Sequence, residues 1–315
     1  MKKRCTAMLI VLAMLFTMLP GRAYAVTYKT ITNIQCIKGL VDGKAVLGST
    51  LTLNVDELAD SNEEFRNVND NYMGSVRIVG ASPEAEGFQR NIGDIYSVIQ
   101  WEVPKSHDLA GEAFMVRFEF DNDEGFQTIP IQAAVGMSDI PIAPLPSKTY
   151  TGRAHKQDFS MIRHGEVVFF EGKDYTVSYK NNTNAGTASV IFTGKGRIVG
   201  SVTKTFKINK AANLMTVQNK TVKVKESKLK KKKQVIKCSE SMGICTAVGK
   251  LQFKLEKVNK KKFKKYFKVN ANNGKITIKK GLKKGTYKLK INVTAAGNAN
   301  YLAASRQVTV TIKVK

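Results

Sequence analysis

Hydrolytic and metal chemistry need polar groups that converge, and this 315-residue sequence offers few such groups at a suitable spacing. The three histidines are His107, His155 and His164, and none has another histidine or a cysteine two or four positions away. A zinc site needs at least three such donors. We interpret the histidines as exposed turn residues, and the sequence predicts no metal, no cofactor and no catalytic residue.

Carboxylates offer two further possibilities. The stretch DNDEG, Asp121–Gly125, clusters oxygen ligands of the kind that calcium prefers, but it lacks the twelve-residue loop of an EF-hand and is interpreted as an acidic surface turn. Glycoside hydrolysis needs two carboxylates at a defined separation. Candidates are present before residue 140 (Glu84, Glu86, Glu102 and Glu119), but the sequence does not show which of them face each other. An exported glycan-active enzyme, with its site before residue 140, is therefore kept as an alternative.

Lysine is the residue type that stands out. Two dense clusters lie between predicted strands, and we take their members as candidate polyanion-binding residues: Lys228, Lys230, Lys231, Lys232 and Lys233 in the first, and Lys260, Lys261, Lys262, Lys264 and Lys265 in the second. Phe263, Tyr266 and Phe267 are interleaved with the second cluster. Such rings could stack on nucleic-acid bases, but their spacing favours a short amphipathic turn that buries them.

The charge is divided unevenly along the chain. Residues 26–140 carry 18 acidic and 8 basic side chains, residues 141–210 carry 4 and 11, and residues 211–315 carry 3 and 28. Solubilising surfaces normally mix both signs, and strand-edge lysines that block aggregation account for only some of this excess. The asymmetry predicts separate modules and an anionic partner for the last one. Docking of the acidic module on the basic one is an open alternative.

The first 25 residues indicate export. Lys2, Lys3 and Arg4 precede the apolar stretch Ala7–Leu19, and AYA, with the small residues Ala23 and Ala25, follows a helix-breaking Pro-Gly pair. This arrangement is typical of a secretory signal peptide that is cleaved after Ala25. We therefore expect a secreted, extracellular or cell-wall-associated protein.

Cysteines are few in the predicted mature chain. Cys238 and Cys245 flank a six-residue segment and could form a disulfide that closes a hairpin loop, because an exported chain meets an oxidising compartment. Spacing alone does not decide this, since the two side chains must also converge. Cys36 is expected to be a buried apolar residue.

The pattern of the mature chain predicts an all-β fold of tandem Ig-like antiparallel β-sandwiches. Short alternating stretches such as Ser49–Val55 and Phe114–Phe120 recur through the acidic module, 26–140. Trp101 lies in one of them and is expected in the core, whereas Asp56–Asp70 reads as helical or as a long loop. A proline-rich linker, 141–148, follows and favours a stiff spacer.

The segment 149–210 resembles the Ig-like repeats of bacterial surface proteins. The resemblance is carried by Tyr150–Gly152, by GKDYTVSYKNNTNAGTASVIFTGKG at Gly172–Gly196, and by the closing TKTFKI at Thr203–Ile208. At Ile198 the family usually has an aromatic residue, and the apolar side chain is expected to keep the core role.

The segment 211–315 resembles a companion Ig- or cadherin-like β-domain that often follows such repeats in secreted proteins of Gram-positive anaerobes. Its sharpest piece is AAGNANY, Ala295–Tyr301, and the Lys275–Val293 stretch alternates as two strands with lysines on the wet face. The resemblance implies a surface setting without catalysis. The sequence thus predicts a surface protein held to an anionic cell-wall polymer or to another extracellular polyanion, such as DNA or a heparin-like glycan. Its acidic module would meet a protein or glycan ligand.

Overall fold

The computed structural model of the protein describes residues 26–70 and 74–315, without the side chain of Glu84. The predicted signal peptide lies outside this range. Packing divides the chain into two compact units. The first comprises the described residues up to Ile140 together with 163–175 and 194–200, and the second comprises 141–162, 176–193 and 201–315. The units divide the segment 149–210 between them, and the module boundaries drawn from the sequence remain predictions.

The described residues up to Ile140 form ten strands and two helices. The strands are β1 (Thr27–Ile31), β2 (Ile37–Lys38), β3 (Ala45–Val46), β4 (Thr50–Asn54), β5 (Gly74–Gly80), β6 (Arg90–Asp94), β7 (Val98–Glu102), β8 (Ala113–Phe120), β9 (Glu124–Thr128) and β10 (Ile131–Gly136). Helices α1 (Val55–Ser61) and α2 (Glu63–Asn69) separate β4 from β5, and short 3₁₀ turns cover Pro83–Phe88, His107–Leu109 and Met137–Asp139. The helical alternative for Asp56–Asp70 is therefore the observed one, with Asn54 and Asn62 capping the two helices.

Alternation builds the core of this first unit. In β8 every second side chain is buried, as expected for a strand with one face on a core. Strands β2, β4 and β7 form one sheet, β8 joins a larger sheet with β1, β5, β9 and β10, and apolar side chains of the two sheets pack in a single cluster. Trp101 is only 7% exposed, which confirms its predicted place in the core.

Residues 141–210 contribute seven strands: β11 (Lys148–Thr149), β12 (Met161–His164), β13 (Val167–Phe170), β14 (Tyr175–Lys180), β15 (Gly186–Gly194), β16 (Ile198–Val199) and β17 (Ser201–Asn209). The turn between β14 and β15 contains Asn181 and Gly186 at positive φ, as the NNTNAG motif predicts. Ile198 is 1% exposed, which confirms that it keeps an apolar core role.

Residues 211–315 complete the chain with nine strands and two short helices. The strands are β18 (Thr216–Asn219), β19 (Thr221–Val224), β20 (Gln234–Ile236), β21 (Met242–Cys245), β22 (Leu251–Val258), β23 (Phe267–Val269), β24 (Ile276–Ile278), β25 (Gly285–Ala295) and β26 (Ala304–Val314). Helix α3 (Glu226–Lys231) precedes β20, α4 (Cys238–Ser241) precedes β21, and a 3₁₀ turn covers Lys261–Tyr266.

Two sheets of this last segment enclose one core. The long sheet has the order β19-β26-β25-β22 and the short sheet β20-β24-β23, and side chains of both pack in one apolar cluster. We call this part, residues 211–315, the basic sandwich. The predicted all-β class with antiparallel β-sandwiches is confirmed, with the qualification that β1, β11 and β19 pair in parallel with β9, β17 and β26.

Candidate functional site

Three lysine-rich segments that are distant in sequence meet around one turn of the basic sandwich. The turn, Lys279–Gly285, follows strand β24. The backbone N–H of Gly281 donates to the carbonyl of Leu229 in helix α3 at 3.1 Å, and the N–H of Lys279 donates to the carbonyl of Tyr266 at 2.8 Å. The backbone of the turn is therefore hydrogen-bonded to both segments that carry the lysine clusters predicted from the sequence.

Buried side chains under the turn fix this arrangement. Leu229 is fully buried, so helix α3 is anchored while its lysines face outward. Tyr287 is 2% exposed, packs edge-on against Phe263 with ring centroids 5.2 Å apart, and donates its hydroxyl to the carbonyl of Lys283 at 2.9 Å. Burial, with the nearby Glu226 charge and Tyr266, raises the pKa of Tyr287, so it stays a neutral hydrogen-bond donor.

The aromatic residues of the second cluster belong to this packing. Phe267 is buried, and Phe263 and Tyr266 are half-buried against the core, as the predicted amphipathic turn requires. The ammonium groups of Lys262 and Lys265 lie 5.4 and 5.5 Å from the ring centroids of Phe263 and Tyr266. The rings are thus covered by the fold and by their own lysines, which does not favour base stacking.

We define the lysine cluster as the ten residues predicted from the sequence plus four that the turn adds: Lys279, Lys280, Lys283 and Lys284. All fourteen are exposed. The added four were missed as site residues because the alternation around them indicated only the wet face of a sheet, although the density of KKGLKKG was a usable signal.

Few carboxylates accompany these charges. The basic sandwich has three acidic residues, and among the described residues its one ion pair joins Lys254 and Glu256 at 3.2 Å on an exposed surface. Every lysine from Lys223 to Lys315 is exposed.

The exposed face of the long sheet even places like charges opposite each other. In the strand register Lys257 faces Lys290, and Lys223 faces Lys313. Like charges directly opposite on a sheet are destabilising. The charged side chains exposed on the basic sandwich are therefore mostly cationic and mostly without an acidic partner.

The sequence left open whether Cys238 and Cys245 form a disulfide. In the structure both are free thiols. Cys238 begins helix α4 with its sulfur packed near Phe253 and Gly274, whereas Cys245 ends strand β21 opposite Thr216 and is exposed. The helix and strand between them direct the two side chains to different surroundings. Cys36 is buried, as predicted.

The interpretation of the histidines as exposed turn residues is wrong, since His107, His155 and His164 are all half-buried. The rings of His107 and His164 touch with centroids 3.6 Å apart in the first unit. Burial, with the charge of His107, lowers the pKa of His164, against an opposite effect of Asp139. Among the described residues no group of three histidine, cysteine or acidic side chains is placed to hold a metal ion.

Sequence reasoning missed a buried ion pair in the first unit. Asp174 is 1% exposed, and its carboxylate accepts from Arg197 Nε at 2.9 Å and Nη2 at 3.0 Å and from the backbone N–H of Phe170 at 3.0 Å. Burial acts to raise the pKa of Asp174, but these hydrogen bonds outweigh it and the pKa is lowered. Arg197 also lies over the ring of Phe169 and donates to the carbonyl of Val168, which makes its role structural.

The candidate hydrolase carboxylates do not form a described pair. Glu119 accepts from the Tyr28 hydroxyl and pairs with Arg77, and the exposed Glu86 lies in a 3₁₀ turn. Glu102 is the one carboxylate among the described residues that line a cleft of about 510 Å³. The acidic stretch after β8 is a turn with Asp123 at positive φ and Glu124 paired with Lys29, as interpreted from the sequence.

Comparisons with known proteins give weak similarities only. No protein family and no curated protein sequence matches the chain. Among solved structures, a protocadherin gammaB7 EC3-6 cis-dimer is 13% identical with a TM-score of 0.33, covering 94% of this chain and 73% of that one. Mouse clustered PcdhgC3 EC1-3 is 12% identical with a TM-score of 0.30 and coverages of 91% and 99%. Drosophila N-cadherin EC1-3 is 11% identical with a TM-score of 0.25 and coverages of 76% and 89%.

Scores this low carry no argument about function, and the fold assignment rests on the sheets described above. In the range that the structure describes, no helix is long and apolar enough to cross a membrane.

Proposed function

We propose that this chain is a non-catalytic extracellular or cell-wall-associated surface protein that attaches electrostatically to an anionic polymer through its lysine cluster. One observation carries the proposal. Three remote segments bring fourteen exposed lysines to one turn, in a sandwich that has only three carboxylates. The predicted signal peptide supports export, and the β-sandwiches serve as a stalk or contact region.

The mechanism is multipoint attraction. Each polymer phosphate that meets an ammonium group releases a condensed counterion, so affinity grows with the number of contacts and falls with salt. Lysine suits this task because it is a flexible point charge that does not require a fixed ligand geometry. A phosphate-rich wall polymer is the favoured partner for an exported protein of this kind.

The test compares two charge-matched variants of the chain from residue 26 to 315. One replaces Lys279, Lys280, Lys283 and Lys284 with glutamine, and the control replaces four exposed lysines outside the basic sandwich, namely Lys156, Lys173, Lys180 and Lys207. At low salt the first variant should bind immobilised poly(glycerol phosphate) roughly tenfold or more weakly than the control. Equal binding by the two variants would contradict the proposal.

Double-stranded DNA and heparin are the alternative partners, and they are tested as competitors in the same assay. The half-buried aromatic rings of the second cluster argue against base stacking, so DNA has no advantage beyond its charge. DNA or heparin would be assigned as the ligand instead if it displaced the protein at a concentration far below that of soluble wall polymer needed for the same displacement. The alternative of a glycan-active enzyme is not supported, because the candidate carboxylates do not form a pair among the described residues.

A further inference from the structure

We propose that the first unit binds a neutral oligosaccharide in the cleft between strands β6 and β7. The cleft has a volume of about 510 Å³, within the usual range for small-ligand sites. It is lined by Arg90 and Asn91 from β6, by Gln100, Trp101 and Glu102 from β7, and by Thr50 from β4. This site goes beyond electrostatic attachment and does not depend on the lysine cluster.

The cleft lies between two sheet edges. In the described part of the chain, β6 pairs only with β5, and β7 pairs only with β4. Each of the two strands therefore has one side without a neighbouring strand, and the side chains at this opening can reach a ligand. Exposed Gln100 and Glu102 alternate with buried Ile99 and Trp101 along β7, which aims both polar groups outward from a rigid element.

The lining side chains match hydroxyl groups better than charges. The amides of Asn91 and Gln100 each offer donors and an acceptor, as does the hydroxyl of Thr50. Arg90 and Glu102 balance each other in charge, so the cleft has none of the cationic excess of the lysine cluster. Asn91 Oδ1 also accepts from the backbone N–H of Gly93 at 3.1 Å, which holds that amide in place.

The aromatic ring of Trp101 lines the cleft and carries a hydrogen-bond donor without a partner. Its indole N–H is buried and has no acceptor among the described residues. A buried donor that is left without a partner carries an uncompensated desolvation cost. A ligand oxygen would remove this cost, but the atom is shielded from solvent, so the side chains around it must shift before a ligand reaches it.

The same features make an extended peptide a poorer occupant. Strand addition draws its specificity from pockets for alternate side chains. Apart from Trp101, the apolar residue lining this cleft is the half-buried Ile92, so such pockets are not present in it. Hydrolysis is disfavoured as well, because a single carboxylate lines the cleft and glycosidases use two. The geometry favours binding of a neutral glycan without cleavage.

The single tryptophan of the chain makes the test direct, since Trp101 fluorescence reports on the cleft. Chain 26–315 would be titrated at high salt, which suppresses the lysine cluster, with cellohexaose, chitohexaose, mannohexaose and xylohexaose, and with a Thr-Val repeat peptide. We expect one glycan to shift the emission. The N91A and Q100A variants should bind it at least about tenfold more weakly, and the exposed-glutamine control Q35A, outside the cleft, should bind it normally.

Three results would overturn the proposal: no response to any of the four glycans, a glycan affinity unchanged in both cleft variants, or a response to the peptide that the cleft variants abolish. All three leave the lysine cluster untested, because that function is measured at low salt on a polyanion. Folding of each variant is checked by the far-UV circular dichroism of the β-sheets.

Discussion

The first unit and the basic sandwich use charge in opposite ways. In the first unit acidic and basic side chains meet each other, as in Lys38–Glu57, Arg77–Glu119 and the buried Asp174–Arg197 pair. In the basic sandwich the described residues contain one exposed ion pair, and lysines face lysines across strands of the long sheet.

Paired charges satisfy each other, and their removal is felt inside the first unit. Unpaired like charges repel and lower the stability of the compact state. Under the proposed function, an external polyanion would bind these unpaired charges in the basic sandwich. Mutations that remove a charge should therefore lower the stability of the first unit and raise that of the basic sandwich.

The largest effect is expected from the R197M variant in the first unit. It leaves the Asp174 carboxylate buried without its partner, which typically costs about 3–5 kcal/mol in the free energy of unfolding. Urea unfolding followed by Trp101 fluorescence reads this unit alone. The matched control is K38M, which breaks the exposed pair with Glu57 and should cost at most about 1 kcal/mol. Similar losses in both variants would remove the distinction between buried and exposed pairs.

In the basic sandwich the L229A variant should be the most damaging. Leu229 is fully buried, and truncation of a buried leucine to alanine costs about 2–5 kcal/mol. Hydrogen exchange measured on peptides covering 226–240 should show faster exchange, and binding of the polyanion should weaken although no charge has changed. If polymer binding is unaffected while exchange rises, the placement of helix α3 does not matter for the lysine cluster.

Replacing Lys257 with glutamate should stabilise the fold. The change turns a like-charge pair with Lys290 into an attractive one, worth about 0.2–1 kcal/mol. The control K268E adds the same charge change at another exposed lysine, opposite Thr277 in the short sheet, so only K257E should gain from a cross-strand partner. Loss of stability in K257E, measured by thermal unfolding, would show that Lys257 contributes to the fold.

The smallest effect is a pH dependence of the first unit. The pKa of His164 is lowered in the folded state, so unfolding takes up a proton in the window below the ordinary histidine pKa of about 6.5. Stability is then fully present above that value and falls as the pH drops towards the folded pKa. The H164N variant should flatten the dependence of urea midpoints, followed by Trp101 fluorescence, between about pH 7.5 and about pH 5. If the pH dependence of the urea midpoint is unchanged in H164N, other titratable groups cause it.

Patterns that act locally were predictable from the sequence. Alternation gave the strands around Trp101, in β8 and in the last segment, and NNTNAG gave its turn, because side-chain period and turn chemistry depend on neighbours in sequence. The interleaved rings of Phe263, Tyr266 and Phe267 indicated a buried turn for the same reason. The two lysine clusters were visible as composition alone.

Contacts between residues that are distant in sequence were not predictable. The contact of His107 with His164 and the pairing of Asp174 with Arg197 join residues far apart in sequence, and no spacing rule reports them. Whether Cys238 and Cys245 form a disulfide was also not predictable, because proximity in sequence does not ensure that side chains converge. The position of the turn Lys279–Gly285 next to the two other lysine-rich segments is known only from the backbone hydrogen bonds of Gly281 and Lys279.

The most direct test of the central claim is the salt dependence of polymer binding by chain 26–315. Affinity for poly(glycerol phosphate) should fall linearly in a log–log plot against salt, with roughly −0.7 in slope for each phosphate contacted, and the variant lacking the four turn lysines should give a shallower line. A slope near zero, or the same slope in both proteins, would contradict the account.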